Sequence, residues 1–458
     1  MPEISKVIEN GYCIGCGACA YVEPDVFKIN LSEYGTKEAK SLLDDSEKSN
    51  GLADKVCPFS EKSKNESQIA EEQFVSSKLS YDNVIGFHKS LHAGHVVEGK
   101  FRADGSSGGM VSWLIKELFE RDEIDYVIHV KEKSSDELFS YSISSSLNDA
   151  LTASKSKYYP ISMEKVLDQV KSREGRYLFI GIPCFVKALR NVSIVDDIIS
   201  ERIKYIAGLV CGHLKSTYFS YNYSMQLDVF PDELAKIDFR HMVDNHEGPA
   251  NQYFVKVTDR NGYSKVRQNI GFYGYLWGHG FFKYKACDYC DDIFAETADI
   301  CFGDAWIKPY VDDPEGDNIV VVRNESLARI VNEAIAYGKV NLDEVDASDI
   351  KRSQEAGIRH RRDGVIARVK FKKLIKSWHP KKRYIKNSFF GRSDLLQKTI
   401  YVYREYISFS SMKYFRLAID EKNYDLFKNR MKIIMFIYDR VLYFSFGKVR
   451  NKLKKIFK

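Results

Sequence analysis

Eight of the nine cysteines in this chain fall into two groups of four. Cys13, Cys16 and Cys19 stand at CxxCxxC spacing, and Cys57 follows at a distance, directly before Pro58. Cys184 ends the run Gly-Ile-Pro-Cys, Cys211 opens Cys-Gly-His, and Cys287 and Cys290 form a CxxC pair. Three thiolates at the first spacing with a remote Cys-Pro form the ligand pattern of a cubane 4Fe–4S cluster, a one-electron carrier. Zinc sites pair two CxxC knuckles or join CxxC to HxxxH, which this is not. Disulfides need an oxidising compartment, and the start Met-Pro-Glu-Ile-Ser-Lys does not read as a signal sequence. No second CxxCxxC occurs, so Cys57 is expected to close the same cluster.

The dispersed group has two readings. Cysteine is a small hydrophobe that favours interiors, so four buried core cysteines are one. Their number, the CxxC pair and the position of two of them after apolar strands favour a second 4Fe–4S cluster at Cys184, Cys211, Cys287 and Cys290. Cys301, between Ile300 and Phe302, reads as core.

The elements that must hold these residues follow from periodicity. Apolar runs at 124–130, 176–181, 203–211 and 318–323 predict strands, and those at 176–181 and 203–211 end at cysteines, where open α/β sheets bind ligands. The run after Gly109 and residues 161–171 predict helices, and 238–269 predict a hairpin around Asp-Arg-Asn-Gly. Residues 105–109, Gly-Ser-Ser-Gly-Gly, open a helix, so they are either a phosphate cradle of N–H groups and hydroxyls or a plain N-cap. Arg102 nearby either pairs with a phosphate or is exposed. Asp304 either orients a cofactor hydroxyl or caps the next helix. His88, His92 and His95 read as ordinary strand and surface histidines. His213 could donate to a cluster sulfur or to a neighbouring cofactor. The aromatic stretch 272–284 reads as core beside the CxxC pair.

A length of 458 residues predicts about two to four domains. Residues 351–458 carry 30 Lys and Arg against 8 Asp and Glu, whereas the remainder carries 39 against 55. A basic tail on an acidic body points to an anionic partner. No apolar run is long enough to predict a spanning helix.

Ser-Ser-Gly-Gly, Gly-Ile-Pro-Cys, Val-Cys-Gly-His, Cys-Asp-Tyr-Cys-Asp and Asp-Ile-Cys-Phe-Gly-Asp-Ala-Trp occur here in order. In these the sequence resembles the coenzyme F-420 hydrogenase/dehydrogenase beta-subunit family of iron–sulfur flavoproteins, over roughly residues 1–370. The segment 357–368 resembles the family's closing segment. Position 182 departs from the family's usual threonine, a change of tuning that leaves Cys184 in place. The resemblance implies an α+β or α/β fold: a ferredoxin-like 4Fe–4S domain at 1–60, a linker or exposed helix at 61–82, and a flavin-contacting domain at 83–160. A second domain at 161–370 would hold the second cluster and FAD; beyond the resemblance, the Lys- and Arg-rich residues 371–458 read as a basic helical extension. It further implies FAD contacts at Arg102, Ser106, Ser107, Gly108, Gly109 and Asp304.

The resulting expectation is an oxidoreductase passing electrons from a ferredoxin-like donor through two 4Fe–4S clusters to FAD, and on to an organic substrate such as coenzyme F-420 or a polysaccharide precursor. The direction can be reversed, and no catalytic residue is assigned. The alternatives are a non-catalytic electron-transfer subunit of a larger complex and an iron–sulfur protein without flavin. The expected place is the cytoplasm, with contact at the inner membrane face as one role for the tail. That contact would run through apolar residues 431–438 and 441–446 and basic residues 448–458; packing on the body or on a protein partner is the other reading. No nucleic-acid-binding module is recognised.

Overall fold

The computed structural model describes residues 3–42, 50–75, 78–133, 137–243, 247–383 and 395–445. Strands β1 (Phe27–Leu31) and β2 (Lys37–Ser41) pair antiparallel in an N-terminal unit, together with the short helices Glu3–Glu9, Ala18–Val22 and Leu52–Val56. Its own core is small: Ile4, Cys19, Ala20, Phe27, Ala39 and Ala53. So little apolar burial gives limited independent stability. The unit is seated on the body: Met163 N–H donates to Cys16 O at 2.8 Å, Thr217 N–H to Gly35 O at 2.8 Å, and Lys285 Nζ to Asn10 O at 2.7 Å.

Strands β3 (Ser80–Asp82) and β4 (Gly86–His88) form a hairpin that leads into an eight-stranded sheet. The sheet contains β5 (Ser90–Val96), β6 (Tyr126–Glu132), β7 (Phe139–Ser144), β8 (Tyr177–Gly181), β9 (Ile203–Leu209), β13 (Ile300–Asp304), β14 (Asn318–Val322) and β15 (Val340–Glu344). Their order is β15-β5-β14-β13-β9-β8-β6-β7. The central four, β13, β9, β8 and β6, are parallel, and the outer pairings are antiparallel. Both faces are covered, so strand residues alternate between two cores. Tyr177 and Phe179 of β8 face one core, while Leu178 and Ile180 face the other. Burial on both faces explains why β8 and β14 are uninterrupted apolar runs rather than alternating ones. Helices Met110–Glu120 and Glu325–Ala336 cover one face, and Glu164–Ser172 and Pro183–Val195 the other. A separate antiparallel sheet joins β10 (Leu234–His241), β11 (Phe254–Asp259) and β12 (Ser264–Gln268), with its last turn where Asp-Arg-Asn-Gly predicts it.

Segment 61–82 differs from an open linker or exposed helix. Helix Glu66–Phe74 buries Glu66, Ile69, Ala70 and Phe74, and Phe74 meets Phe87 of β4. Glu66 lies 3.4 Å from both Lys187 and Arg383, and these cations hold its carboxyl below the usual range against the opposing effect of burial. Its partners come from distant segments, which is why a polar local sequence gave no sign of burial.

The C-terminal region is a hairpin of two long helices, Leu395–Asp420 and Tyr424–Ser445, packed on the body. Phe415 and Phe427 pack against Phe282, and Phe282 N–H donates to Ser411 Oγ at 2.8 Å. Residues 446–458, including the basic end, lie outside the described residues. No described helix is long and apolar enough to cross a membrane.

Candidate functional site: two cysteine sets and two adjoining cavities

The first cysteine set is built by a tight loop. Gly15 and Gly17 have φ of +64° and +89°, and a side chain at Gly15 would strike the Lys37 backbone. Glycine at both positions lets Cys13, Cys16 and Cys19 turn inward. Cys57 follows helix Leu52–Val56, and all four line one small apolar cavity. The N–H groups of Gly15 and Ala39 reach Cys13 Sγ at 3.4 and 3.2 Å.

In the second set, Cys184 lies in the first turn of helix Pro183–Val195, just past the end of β8. Cys211 follows the end of β9, while Cys287 lies within the short 3-10 helix Lys285–Tyr289 and Cys290 caps its C-terminal end. Leu214 N–H donates to Cys287 Sγ at 3.2 Å. Burial pushes all eight thiols upward. After burial, the charges acting on Cys184 come from Cys290, Cys211 and Cys287, and those on Cys19 from Cys13, Cys16 and Cys57. The thiols of each set therefore neighbour one another, and those of the first share one cavity. Four neighbouring thiols with N–H donors at sulfur fit an iron–sulfur cluster at each place, and loading would release their protons. Cys301 stands apart: it is fully buried in β13, and the charges acting on it are Arg323 and Asp292.

The two sets adjoin. Cys16 also acts on Cys184, and both act on Tyr141, whose hydroxyl donates to Ile180 O at 3.1 Å. A residue that sequence reasoning left unassigned, Arg361, sits against the second set. Its guanidinium donates to Cys211 O at 2.6 Å, Gly212 O at 2.8 Å and Asp292 O at 3.0 Å. After burial, which disfavours the charged form, Cys290, Cys211 and Cys287 favour it. The only sequence signal for it was its place in segment 357–368.

A cavity of about 300 Å³ opens at the C-terminal ends of β8, β9 and β13. Gly105, Ser106, Ser107, Gly109, Cys211 and Asp304 are in its wall. Gly109, at φ +78°, caps helix Met110–Glu120 there. Lys157 lines it too; its ammonium donates to three backbone carbonyls, and burial lowers it to about 8. A helix N-terminus, hydroxyls and a lysine at one strand-end crevice suit a phosphate-bearing flat cofactor, so the residues present fit a flavin.

Two of the expected contacts lie elsewhere. Arg102 is not in the cavity wall; it donates to Gly316 O and pairs with Asp313 at 2.7 Å and Asp317 at 3.3 Å. Gly108 faces β5 and β14, where a side chain would meet Gly94 O and Asn318. Asp304 pairs with Arg240 at 2.6 Å.

A second, wider cavity of about 1120 Å³ shares Tyr158, Val210, Gly212, His213, Trp277 and Asp304 with the first. His213, its ring 4.6 Å from Trp277, is kept neutral by burial and by neighbouring cations, Lys215 foremost. The aromatic stretch divides: Phe272, Phe281, Phe282 and Tyr284 are core, whereas Tyr275 and Trp277 face this cavity. His92 is buried within β5 with neither ring nitrogen hydrogen-bonded, while His95 meets Asp317 at 2.6 Å.

The family model for the C-terminal part of the coenzyme F420 hydrogenase/dehydrogenase beta subunit matches residues 174–348, and the model for its N-terminal part matches 91–168. An F(420)H(2) dehydrogenase subunit of Methanosarcina mazei is 25% identical over 331 residues, covering 71% of this chain and 82% of that protein. The coenzyme F420-dependent sulfite reductase of Methanocaldococcus jannaschii is 21% identical over 359 residues, 75% of this chain; the chain spans 49% of that relative's length. A chain of the F420-reducing NiFe hydrogenase complex from Methanosarcina barkeri is similar in fold, with a TM-score of 0.50 at 15% identity, covering 67% of this chain and 100% of that one. With both halves of the family's pattern matched in order across the sheet that carries the cavities, this chain belongs to the coenzyme F420 hydrogenase/dehydrogenase beta-subunit family.

Proposed function

We propose that this chain is an iron–sulfur flavoprotein oxidoreductase. In this reading a ferredoxin-like donor supplies electrons to a 4Fe–4S cluster at Cys13, Cys16, Cys19 and Cys57. A second cluster at Cys184, Cys211, Cys287 and Cys290 hands them to FAD in the strand-end cavity, and an organic substrate occupies the wider one. The observation that carries the reading is the position of the second set: helix Pro183–Val195, with Cys184 in its first turn, packs on helices Ala18–Val22 and Leu52–Val56 of the N-terminal unit, and Cys211 is in the wall of the strand-end cavity. This arrangement would let electrons pass from the N-terminal unit to the cavity.

A flavin exchanges electrons singly with clusters and in pairs with organic substrates. The chain's residues do the rest. Arg361 places a cation and three hydrogen bonds at the second set, which favours the more negative, reduced state of a cluster. Gly109 and the helix it caps would hold phosphate, and Trp277 with His213 would separate cofactor from substrate. Coenzyme F420 and a polysaccharide precursor are the candidate substrates. Relatives are named as a dehydrogenase subunit and a sulfite reductase, so the second reading is an electron-transfer subunit whose catalysis lies in a partner.

Cytoplasmic placement goes with reduced thiols. Ile433, Phe436 and Ile437 stay exposed on the C-terminal hairpin, and a partner protein or an anionic bilayer surface would be met there. Co-sedimentation with anionic vesicles at low salt, compared between the wild type and Phe436→Asp, tests the bilayer.

The test of the main reading is anaerobic purification with iron, sulfide and flavin assays, followed by reduction with ferredoxin. Bleaching of both clusters and of the flavin is expected. A protein with iron but no flavin would sink the enzyme reading, and one whose flavin is not reduced by ferredoxin would sink the electron path.

A further inference from the structure

We infer that the wide cavity binds a polyhydroxylated organic anion, a sugar bearing a phosphate or carboxylate group, and that the C-terminal hairpin supplies its anion contact. This deepens the reading above, because it names the class of substrate that would meet the flavin.

Three polar atoms carry the hydroxyl part. Asn269 Oδ1, His213 Nε2 and Asp363 Oδ1 are buried with no hydrogen-bond partner, and all three residues are in this cavity's wall. Buried polar atoms are nearly always satisfied, so a cluster of orphans in one cavity marks missing ligand groups. Asn269 is 5% exposed, and its Nδ2 donates to Asn251 O at 3.0 Å. That bond fixes the amide and leaves Oδ1 as an acceptor. Asp363 is a second acceptor, and His213 Nε2 is a third unpartnered atom beside them. A hydroxyl can serve each of these, whereas an apolar flat ring would leave all three unsatisfied. Tyr275, Trp306 and Tyr401 add aromatic surface on which a sugar ring can lie. At about 1120 Å³ the space exceeds what a monosaccharide alone would fill and sits at the top of the usual range for small-ligand sites.

Arg404 carries the anionic part. Its Nε donates to Tyr438 Oη at 2.9 Å, and among the described residues no carboxylate pairs with it. The other wall cations are engaged: Arg240 with Asp304, Lys283 with Asp288, Arg359 with Glu355, and Arg361 with backbone carbonyls. The guanidinium fork of Arg404 is therefore available for a phosphate or carboxylate. Gln397, Tyr401, Arg404 and Leu442 all come from the hairpin, beyond residue 348 where the family match ends. This wall is a feature of the chain's own extension.

The test uses the full chain, purified anaerobically and assayed for iron and flavin. UDP-glucose and glucuronate are titrated separately by calorimetry, with glucose and inorganic pyrophosphate as the partial ligands and lumichrome, a flat ring without hydroxyl chain or anionic group, as the flat comparison. At least one of the two sugar anions should saturate and bind about tenfold or more tightly than either partial ligand. UDP-glucose alone would identify a phosphate-bearing sugar, and glucuronate alone a carboxylate-bearing one. Arg404→Met and Asn269→Leu should each weaken that ligand about tenfold, with Arg404→Lys in between and iron and flavin unchanged. Saturation by neither sugar anion, tighter binding of lumichrome that is indifferent to Asn269→Leu, or equal affinity in all the variants would overturn the inference. A wild-type chain without flavin would count against the functional reading instead, while sugar-anion binding lost in Arg404→Met would still uphold the site.

Discussion

The backbone N–H of Lys37 donates to the hydroxyl of Tyr284 at 2.6 Å, and both groups are buried. Lys37 belongs to the N-terminal unit, and Tyr284 stands three residues before Cys287. Burial dominates the ionisation of Tyr284, but Cys13 and Cys287 both act on it, so the ring lies between the two cysteine sets. The bond ties one set to the other. Tyr284→Phe would leave the Lys37 N–H buried and unpaired, at a cost of about 1–3 kcal/mol. Hydrogen exchange in residues 3–42 should accelerate while the eight-stranded sheet keeps its protection. Unchanged exchange in the N-terminal unit would show that the bond does not hold it in place.

Loaded protein should contain about eight iron and eight acid-labile sulfide per chain. Cys16→Ala should lose about half of each and keep the flavin, because the second set is complete without it. Cys184→Ser, Cys211→Ser, Cys287→Ser and Cys290→Ser should each remove the same cluster signal in electron paramagnetic resonance. Cys301→Ser should spare both clusters and act only on stability. Zinc in place of iron, or a Cys301→Ser variant that behaves like the four, would refute the assignment.

Much of this was legible in the chain. The CxxCxxC spacing located the first set, and the apolar runs at β8 and β9 placed Cys184 and Cys211 at strand ends, because period and length survive without tertiary context. What was missed depends on partners remote in sequence. Glu66 looks like any linker glutamate until Lys187 and Arg383 are brought beside it. Arg361 is one basic residue among several until its guanidinium meets the carbonyls of Cys211 and Gly212. Arg102 precedes the glycine-rich loop and Gly108 belongs to it, yet they face Asp313, Asp317 and the strands, since a turn sends adjacent residues in opposite directions.

His129 predicts an acid-side loss of stability. Its Nε2 lies 2.8 Å from Ser144 Oγ in the interior. Burial lowers it from 6.5 to about 4; Lys131 and Lys157 add to this, and Asp149 opposes it. The unfolded chain takes up the proton first as pH falls. Its contribution is therefore present above about 6.5 and is lost as pH falls toward 4. His129→Gln removes this group, so the denaturation midpoint should fall less steeply over that interval than in the wild type. Identical slopes would mean that His129 does not titrate differently on folding.

The C-terminal hairpin should open before the rest of the chain once its contact with the body is weakened. Phe415 is fully buried, edge-on to Phe282 and Phe427 at 5.1 Å each, with Tyr218 at 5.3 Å. Phe415→Ala opens a cavity at the point where three segments meet and should cost about 3–5 kcal/mol. The loss should concentrate in helices Leu395–Asp420 and Tyr424–Ser445, because the ring's direct aromatic neighbours are Phe282, Phe427 and Tyr218 rather than the strands. Limited proteolysis should cut the variant within the hairpin first, while iron bound at the first cysteine set is retained. The wide cavity loses its outer wall in the same event, so aromatic fluorescence from Trp277 and Trp306 should shift toward that of solvated tryptophan. Cleavage equally spread over the chain would show instead that hairpin and body unfold as one unit.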